Sequence, residues 1–275
     1  MKSYLDMLNY VQILGKGSDD RTGVGTKKVF GYQFRHRMAD GFPLLTTKKM
    51  FPLIVFVELC WMLGGNTNVQ WLNDYGVTIW DEWANTDGDL GPIYGHQWRR
   101  WGQDLELTDG NEDPAPYLGI DQIKQVFYDL ESNPDGRRHI VTAWNPTELP
   151  AMELPPCHLM FQFGHINGEL NLHMVQRSAD LFLGVPYNIA FYGAMLQLFS
   201  HCLGMIPGDL VISFSDLHIY NNHQAQVEKQ LEQPILELPL LYIDGDVKLP
   251  WEARPSDFDV PDYKCGPVIK APVAV

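Results

Sequence analysis

The chain has 275 residues, near the size at which one hydrophobic core stops growing. Its 45% hydrophobic and 20% charged residues are those of an ordinary globular protein. A formal net charge of −14 at pH 7 argues against nonspecific binding to nucleic acid or anionic membrane, so an anionic small molecule would have to meet locally gathered cations. No apolar run approaches the roughly 18 residues of a membrane-spanning helix. The start, Met1-Lys2-Ser3-Tyr4-Leu5-Asp6, lacks the apolar segment and cleavage site of a signal peptide. Cys60, Cys157, Cys202 and Cys265 are widely spaced with no CxxC, which fits reduced thiols in a cytoplasm better than a disulfide or zinc framework. The expectation is one large α/β or α+β domain, cytoplasmic and without a metal.

Leu5, Leu8, Val11 and Leu14 recur at helical spacing and predict an amphipathic helix over residues 1–16. Arg21-Thr22-Gly23-Val24-Gly25-Thr26 follows. Two glycines, an Arg and two Thr could wrap an anion with backbone N–H groups and a guanidinium, although Gly-x-Gly also marks any flexible turn. Residues 28–36 read as a strand. Residues 53–63 are apolar except Glu58 and predict a buried helix closed by Gly64-Gly65. A carboxylate in that run is either functional, with a raised pKa, or turned outward at the helix edge. Trp80 and Trp83 flank Asp81 and Glu82 and suit either a core or a wall for a flat ring.

The polar, acidic stretch at 102–117 reads as an exposed loop without chemistry. A helix is expected over 120–131, then Arg137-Arg138 on a turn leading to a strand over 139–144. Two such arginines make an oxyanion clamp or simply a solvated surface.

Leu154-Pro155-Pro156-Cys157-His158 is the stiffest corner of the chain, because the prolines fix φ and remove two backbone donors. A thiol held there at the start of a strand suits a nucleophile. The burial habit of free Cys favours a structural role when the residue is read alone. Asn167-Gly168 signals a type I′ hairpin. The returning strand, 169–176, delivers Gln176-Arg177-Ser178-Ala179-Asp180. A long apolar helix over 186–203 carries Asn188 in its first turn, either to read a base edge or to cap. A strand over 210–214 leads to His218 and Tyr220, which share one side if that segment is extended. The apolar end, Ile269 to Val275, suggests a docked terminus.

Taken in order, Arg21-Thr-Gly-Val-Gly-Thr26, Gly41-Phe-Pro-Leu-Leu-Thr-Thr-Lys48, Glu58-Leu-Cys-Trp61, Thr78-Ile-Trp-Asp-Glu-Trp83, Gly91-Pro-Ile-Tyr-Gly95, Pro155-Pro-Cys-His158, Gln176-Arg-Ser-Ala-Asp180, Phe182-Leu-Gly-Val-Pro-Tyr-Asn188 and Asp216-Leu-His-Ile-Tyr220 resemble the folate-dependent thymidylate synthases and pyrimidine hydroxymethylases from end to end. The acidic stretch at 102–117 matches least, and Ser215 stands where the family usually has Gly.

The resemblance implies a single α+β domain over residues 1–275, a large mixed twisted sheet covered by helices, and a homodimer through a sheet face. It implies reductive methylation of dUMP to dTMP with 5,10-methylenetetrahydrofolate, through addition of Cys157 to uracil C6. Nearby arginines would favour the thiolate. Glu58 and Tyr94 match groups that serve the proton transfers. Arg21, Arg177 and Ser178 match the phosphate site, with Arg137 and Arg138 reaching in from the neighbouring subunit. Asn188 matches the amide that reads the base, and His218 and Tyr220 match the pair on the 3′-hydroxyl. Trp80, Trp83, Asp180, Leu183, Gly184 and Tyr187 match folate contacts, Lys48 the contact to its anionic tail, and Ala274 the closing C-terminus. Two alternatives share the scaffold: a dUMP hydroxymethylase and a non-catalytic nucleotide-binding homologue. Cytosine-specific relatives carry Asp at the position of Asn188.

Overall fold

A computed structural model describes residues 1–102 and 119–273. The acidic stretch read as a loop lies almost wholly outside these residues, as does Ala274. The chain opens with helix α1 (Lys2–Leu14), which buries Leu5, Leu8 and Val11 of the predicted apolar stripe and leaves its last member, Leu14, exposed. Strands β1 (Lys16–Ser18) and β2 (Thr26–Arg37) follow, then helices α2 (Pro52–Leu63), α3 (Gln70–Asn73), α4 (Tyr94–Arg100) and α5 (Gln122–Ser132). Beyond these come β3 (Ile140–Thr142), β4 (His158–Ile166), β5 (Glu169–Asp180), α6 (Gly184–Leu203), β6 (Ile206–Tyr220) and α7 (Gln224–Leu231). A small pair, β7 (Tyr242–Ile243) and β8 (Phe258–Asp259), comes last.

Six strands form one mixed sheet in the order β1-β2-β6-β5-β4-β3. Only β5 and β6 run parallel, joined through α6 as a crossover, and every other neighbour is antiparallel. The fold is therefore α+β with a large mixed sheet, as expected. Burial alternates along β5: Leu170, Leu172 and Met174 enter the core, while Asn171, His173 and Val175 face the other way. That second face carries polar pairs, with Arg35 on Asp209 at 2.6 Å and His173 Nε2 against Ser213 Oγ at 2.9 Å.

Helix α6 is the spine of the core. It packs on β5, β6, α2 and α5, and its middle is buried from Ile189 to Leu196. Phe199 stacks on Phe163 of β4 at 4.6 Å and meets Phe127 of α5 at 6.2 Å. Gly204 ends the helix in the left-handed conformation. Asn167 and Gly168 both take positive φ, 52° and 85°, the type I′ geometry that closes the β4–β5 hairpin.

Several boundaries differ from the sequence reading. Strand β6 runs well past residue 214, because its polar Asp216 and His218 still pair with β2 and β5. Strand β3 is shorter than residues 139–144. Helices α4 and α7 had no counterpart in the reading, since neither shows a clean apolar stripe. The first turn of α2 is not buried: Leu53 is 50% exposed. Replacing Phe199 with Ala removes a ring buried between β4 and α5. Chemical denaturation should show a loss of about 3–5 kcal/mol; a loss under 1 kcal/mol would contradict this account of the core.

Candidate active site

The polar residues singled out from sequence gather at one end of the sheet. In the parallel pair, Ser178 stands opposite Asp216 and Asp180 opposite His218. His158, at the start of β4, pairs with Gln176, and Arg177 N donates to Cys157 O at 2.9 Å. The carboxyl ends of β5 and β6 thus meet the amino end of β4, and Cys157 lies between them.

The Pro155-Pro156 corner contributes carbonyls and no N–H groups, and Arg177 uses them. Its Nε donates to Pro156 O at 2.9 Å and its Nη2 to Pro155 O at 2.8 Å. Its guanidinium also lies 5.7 Å from the Trp144 ring centroid. Tyr94, at the first residue of α4, holds the other side: its oxygen accepts from Cys157 N at 2.7 Å and from His158 N at 3.3 Å. The sulfur is partly buried, and burial pushes its pKa above the ordinary thiol value against the pull of Arg177. The expected thiolate-favouring cluster is therefore reduced, among the described residues of one chain, to Arg177.

Glu58 is turned inward, not outward at the helix edge. Trp80 Nε1 donates to its Oε1 at 2.8 Å, and burial raises its pKa to about 7 against that hydrogen bond. Trp80 packs edge-on against Trp83 at 5.9 Å and Tyr94 at 6.1 Å. An aromatic wall therefore runs from Glu58 to the nucleophile corner.

Helix α6 contributes a narrow stripe. Leu183, Gly184, Tyr187 and Asn188 are partly exposed while their neighbours are buried. Asn188 Oδ1 accepts from Gln176 Nε2 at 3.1 Å, so it does not act as a cap. A Cβ on Gly184 would find only ordinary contacts, Asn188 Oδ1 at 3.8 Å and Asp180 Cβ at 3.9 Å. Asp180 Oδ1 accepts from Phe182 N at 2.9 Å and Leu183 N at 3.1 Å, fixing the turn into the helix.

On β6, His218 Nδ1 donates to Asp216 Oδ1 at 2.9 Å, and Lys28 Nζ reaches Asp216 Oδ2 at 2.8 Å. The hydrogen bond from His218, followed by that from Lys28, holds the Asp216 carboxyl below its usual range against the effect of burial. The Tyr220 ring lies 5.1 Å from the His218 ring. Burial raises the Tyr220 pKa, with Asp180, Asp20 and Cys157 adding to the rise and Arg21 opposing it, so these groups share one electrostatic field.

The Gly-x-Gly loop differs from the anion wrap considered from sequence. Its N–H groups are spent internally, Gly25 N on Asp20 Oδ1 at 2.9 Å and Gly23 N on Asp20 O at 3.2 Å. A Cβ at Gly25 would meet Asn221 Nδ2 at 2.5 Å at a φ of +75°, so Gly there serves close packing on the end of β6. Arg21, on the same loop, is exposed.

Two groups of cations stand elsewhere. Lys48 is buried, with Nζ donating to Phe182 O at 2.5 Å and lying 3.9 Å from that ring's centroid. Burial lowers its pKa to about 7, with Asp180 pulling the other way. Arg137 and Arg138 are exposed at the outer edge strand, far along β3 and β4 from Cys157. Arg138 lines a surface cavity of about 310 Å³ with Asp129 and Trp101.

The sequence reading assigned no role to Gln176 and His158, which lie beneath Asn188. Adjacency to Cys157 was the signal for His158; Gln176 needed the strand register. Burial lowers the His158 pKa to about 4 and its Nδ1 has no hydrogen-bond partner among the described residues. A depressed histidine pKa stabilises the fold above its unfolded value near 6.5, and that contribution is lost as pH falls towards about 4. His158→Gln should therefore lose less stability than the parent between pH 6.5 and 4 in denaturant titrations. Parallel pH curves would contradict a buried neutral His158.

The comparisons agree with this geometry. The family model described as thymidylate synthase matches residues 2–275. Thymidylate synthases of Coxiella burnetii strains Dugway 5J108-111, RSA 331 / Henzerling II and RSA 493 / Nine Mile phase I are each 48% identical over 275 residues, covering 100% of this chain and of the relative. The chain belongs to the thymidylate synthase family.

Proposed function

We propose that the protein methylates dUMP to dTMP through a covalent adduct on Cys157, as one catalytic domain over residues 1–275. The observation that carries this reading is the doubly held corner at Cys157, linked through Tyr94 to the Trp80–Glu58 pair and through the His158–Gln176 strand pairing to Asn188. Uracil C5 is a weak nucleophile. Addition of the Cys157 sulfur to C6 pushes the ring electrons to C5, which then forms the new carbon–carbon bond. The C5 proton must leave before the exocyclic methylene accepts hydride, and the thiol is then expelled as the C5–C6 double bond returns. 5,10-Methylenetetrahydrofolate supplies the one-carbon unit and the hydride and leaves as dihydrofolate.

Each residue has a part in this reading. Asn188 offers an acceptor and a donor to the N3–H and O4 of uracil, held in place by Gln176. Glu58, with a pKa near 7, exchanges protons through water near neutral pH. Tyr94 orients the corner and lies near the C5 proton. Arg21, Arg177 and Ser178 take the phosphate, while His218 and Tyr220 take the 3′-hydroxyl. Arg177 therefore serves both the corner and the ligand.

The pterin lies against Trp80, Trp83, Leu183, Gly184 and Tyr187, with a hydrogen bond to Asp180. Lys48 serves the anionic tail of the folate only after leaving Phe182 O, and Ala274 belongs to the closing terminus. Arg137 and Arg138 are exposed and lie far along β3 and β4 from their own Cys157, which supports delivery to a second copy across the polar sheet face. Charge from that copy would offset the burial that now raises the thiol's pKa. Four free cysteines suit a reducing cytoplasm.

The test is mass analysis of the nucleotide made from dUMP and methylenetetrahydrofolate. A methyl product is expected. A hydroxymethyl product, heavier by one oxygen, would favour the hydroxymethylase, and no product would favour a binding protein. Cys157→Ala should abolish turnover and leave dUMP affinity within a few-fold; near-normal activity would end the covalent proposal. Gly184→Ala adds a methyl where the protein has room and a helix begins. It should raise thermal stability slightly, by about 0.5 kcal/mol, yet raise the folate KM several-fold. An unchanged KM would remove Gly184 from the pterin surface.

A further inference from the structure

His223 is fully buried where three parts of the site converge, and nothing above uses it. Its ring lies 5.5 Å from Tyr220 on the nucleotide side and 5.5 Å from Phe182 on the turn that Asp180 fixes. Its Nε2 is 2.8 Å from Pro272 O. A carbonyl can only accept, so Nε2 carries the proton and donates to the tail. Among the described residues this is the hydrogen bond between residues 268–273 and the rest of the chain. Nδ1 lies 3.9 Å from Asp180 Oδ1 and has no hydrogen-bond partner among the described residues. A histidine kept only for packing would have both nitrogens satisfied or be replaced by an apolar ring. Chain ends fray unless tied down, and here a side chain rooted between two ligand subsites ties one down.

We propose that His223 is a positioning residue that latches the C-terminal tail to the Asp180 turn and Tyr220, so that tail docking responds to both ligands. The identity of those ligands rests on the function proposed above; the latch itself does not. A latch of this kind acts on the second, water-excluding step of binding, because the nucleotide contacts Tyr220 and the pterin surface includes Asp180.

Two variants of the full chain test this. His223→Phe keeps an aromatic ring and removes the donor, while His223→Gln returns an amide donor at similar reach. Hydrogen exchange of residues 269–273, read by mass spectrometry without ligands, should accelerate about five- to tenfold in the Phe variant and return towards normal in the Gln variant. The methylenetetrahydrofolate KM should rise in parallel in the Phe variant, with dUMP affinity changed less than twofold. Unchanged tail exchange in a folded His223→Phe protein overturns the latch. So does equal weakening of both ligands, which marks a purely structural role, or failure of Gln to restore the tail. Should the Phe variant not fold, His223→Asn, too short to reach Pro272, takes its place with the same expectations. If the parent protein makes no dTMP, the exchange measurement still decides the latch, and only the proposed function fails.

Discussion

Two consecutive prolines leave two carbonyls and no donors, and Arg177 closes that deficit. Its planar guanidinium spans Pro155 O and Pro156 O, while its own backbone N–H takes Cys157 O. Tyr94 satisfies the next two N–H groups from the opposite side. The direction of the Cys157 side chain thus depends on one guanidinium and one phenol, carried by β5 and α4. A lysine could not replace this arginine, because a single ammonium lacks the fork that reaches both carbonyls. Through this corner the end of the sheet and the helical layer become one site.

Around that corner, burial governs the titrating groups. It raises the pKa of Glu58 to about 7 and that of the Cys157 thiol, lowers Lys48 to about 7 and His158 to about 4, and in each case outweighs the nearest partner. These four groups are poised towards neutrality, and their part of the site lacks charge that a ligand or a second copy can supply. An anionic nucleotide and positively charged residues from a neighbour are the kinds of charge the proposed chemistry brings. The same logic places His223, whose Nδ1 faces Asp180 without a hydrogen bond while Nε2 holds the tail.

Much of this was legible in the chain. The apolar spacing of α1, the run of α2 broken by Glu58, the Asn167-Gly168 turn and the length of α6 all follow from local periodicity and turn chemistry. The site residues were legible as motifs. Glu58 stood out as a lone carboxylate in an apolar helix, and Cys157 as a lone thiol behind two prolines. The full length of β6 was not legible, because Ser215, Asp216 and His218 break the hydrophobic pattern and the strand continues there only through pairing of Asp216 and His218 with strands distant in sequence. The Gly-x-Gly loop suggested an anion wrap, yet Asp20 takes its N–H groups.

By itself the sequence determined the strongly patterned helices α1, α2, α5 and α6, the Asn167-Gly168 turn and which residue types carry chemistry, since these depend on neighbours a few positions apart. Only the tertiary structure decided what those residues do to one another. That Arg177 braces the prolines, that Lys48 is buried under Phe182, and that His223 reaches the tail depend on strand register and on contacts between residues tens to hundreds of positions apart. Burial and hydrogen bonding at those contacts set charge and orientation, and no local pattern encodes them.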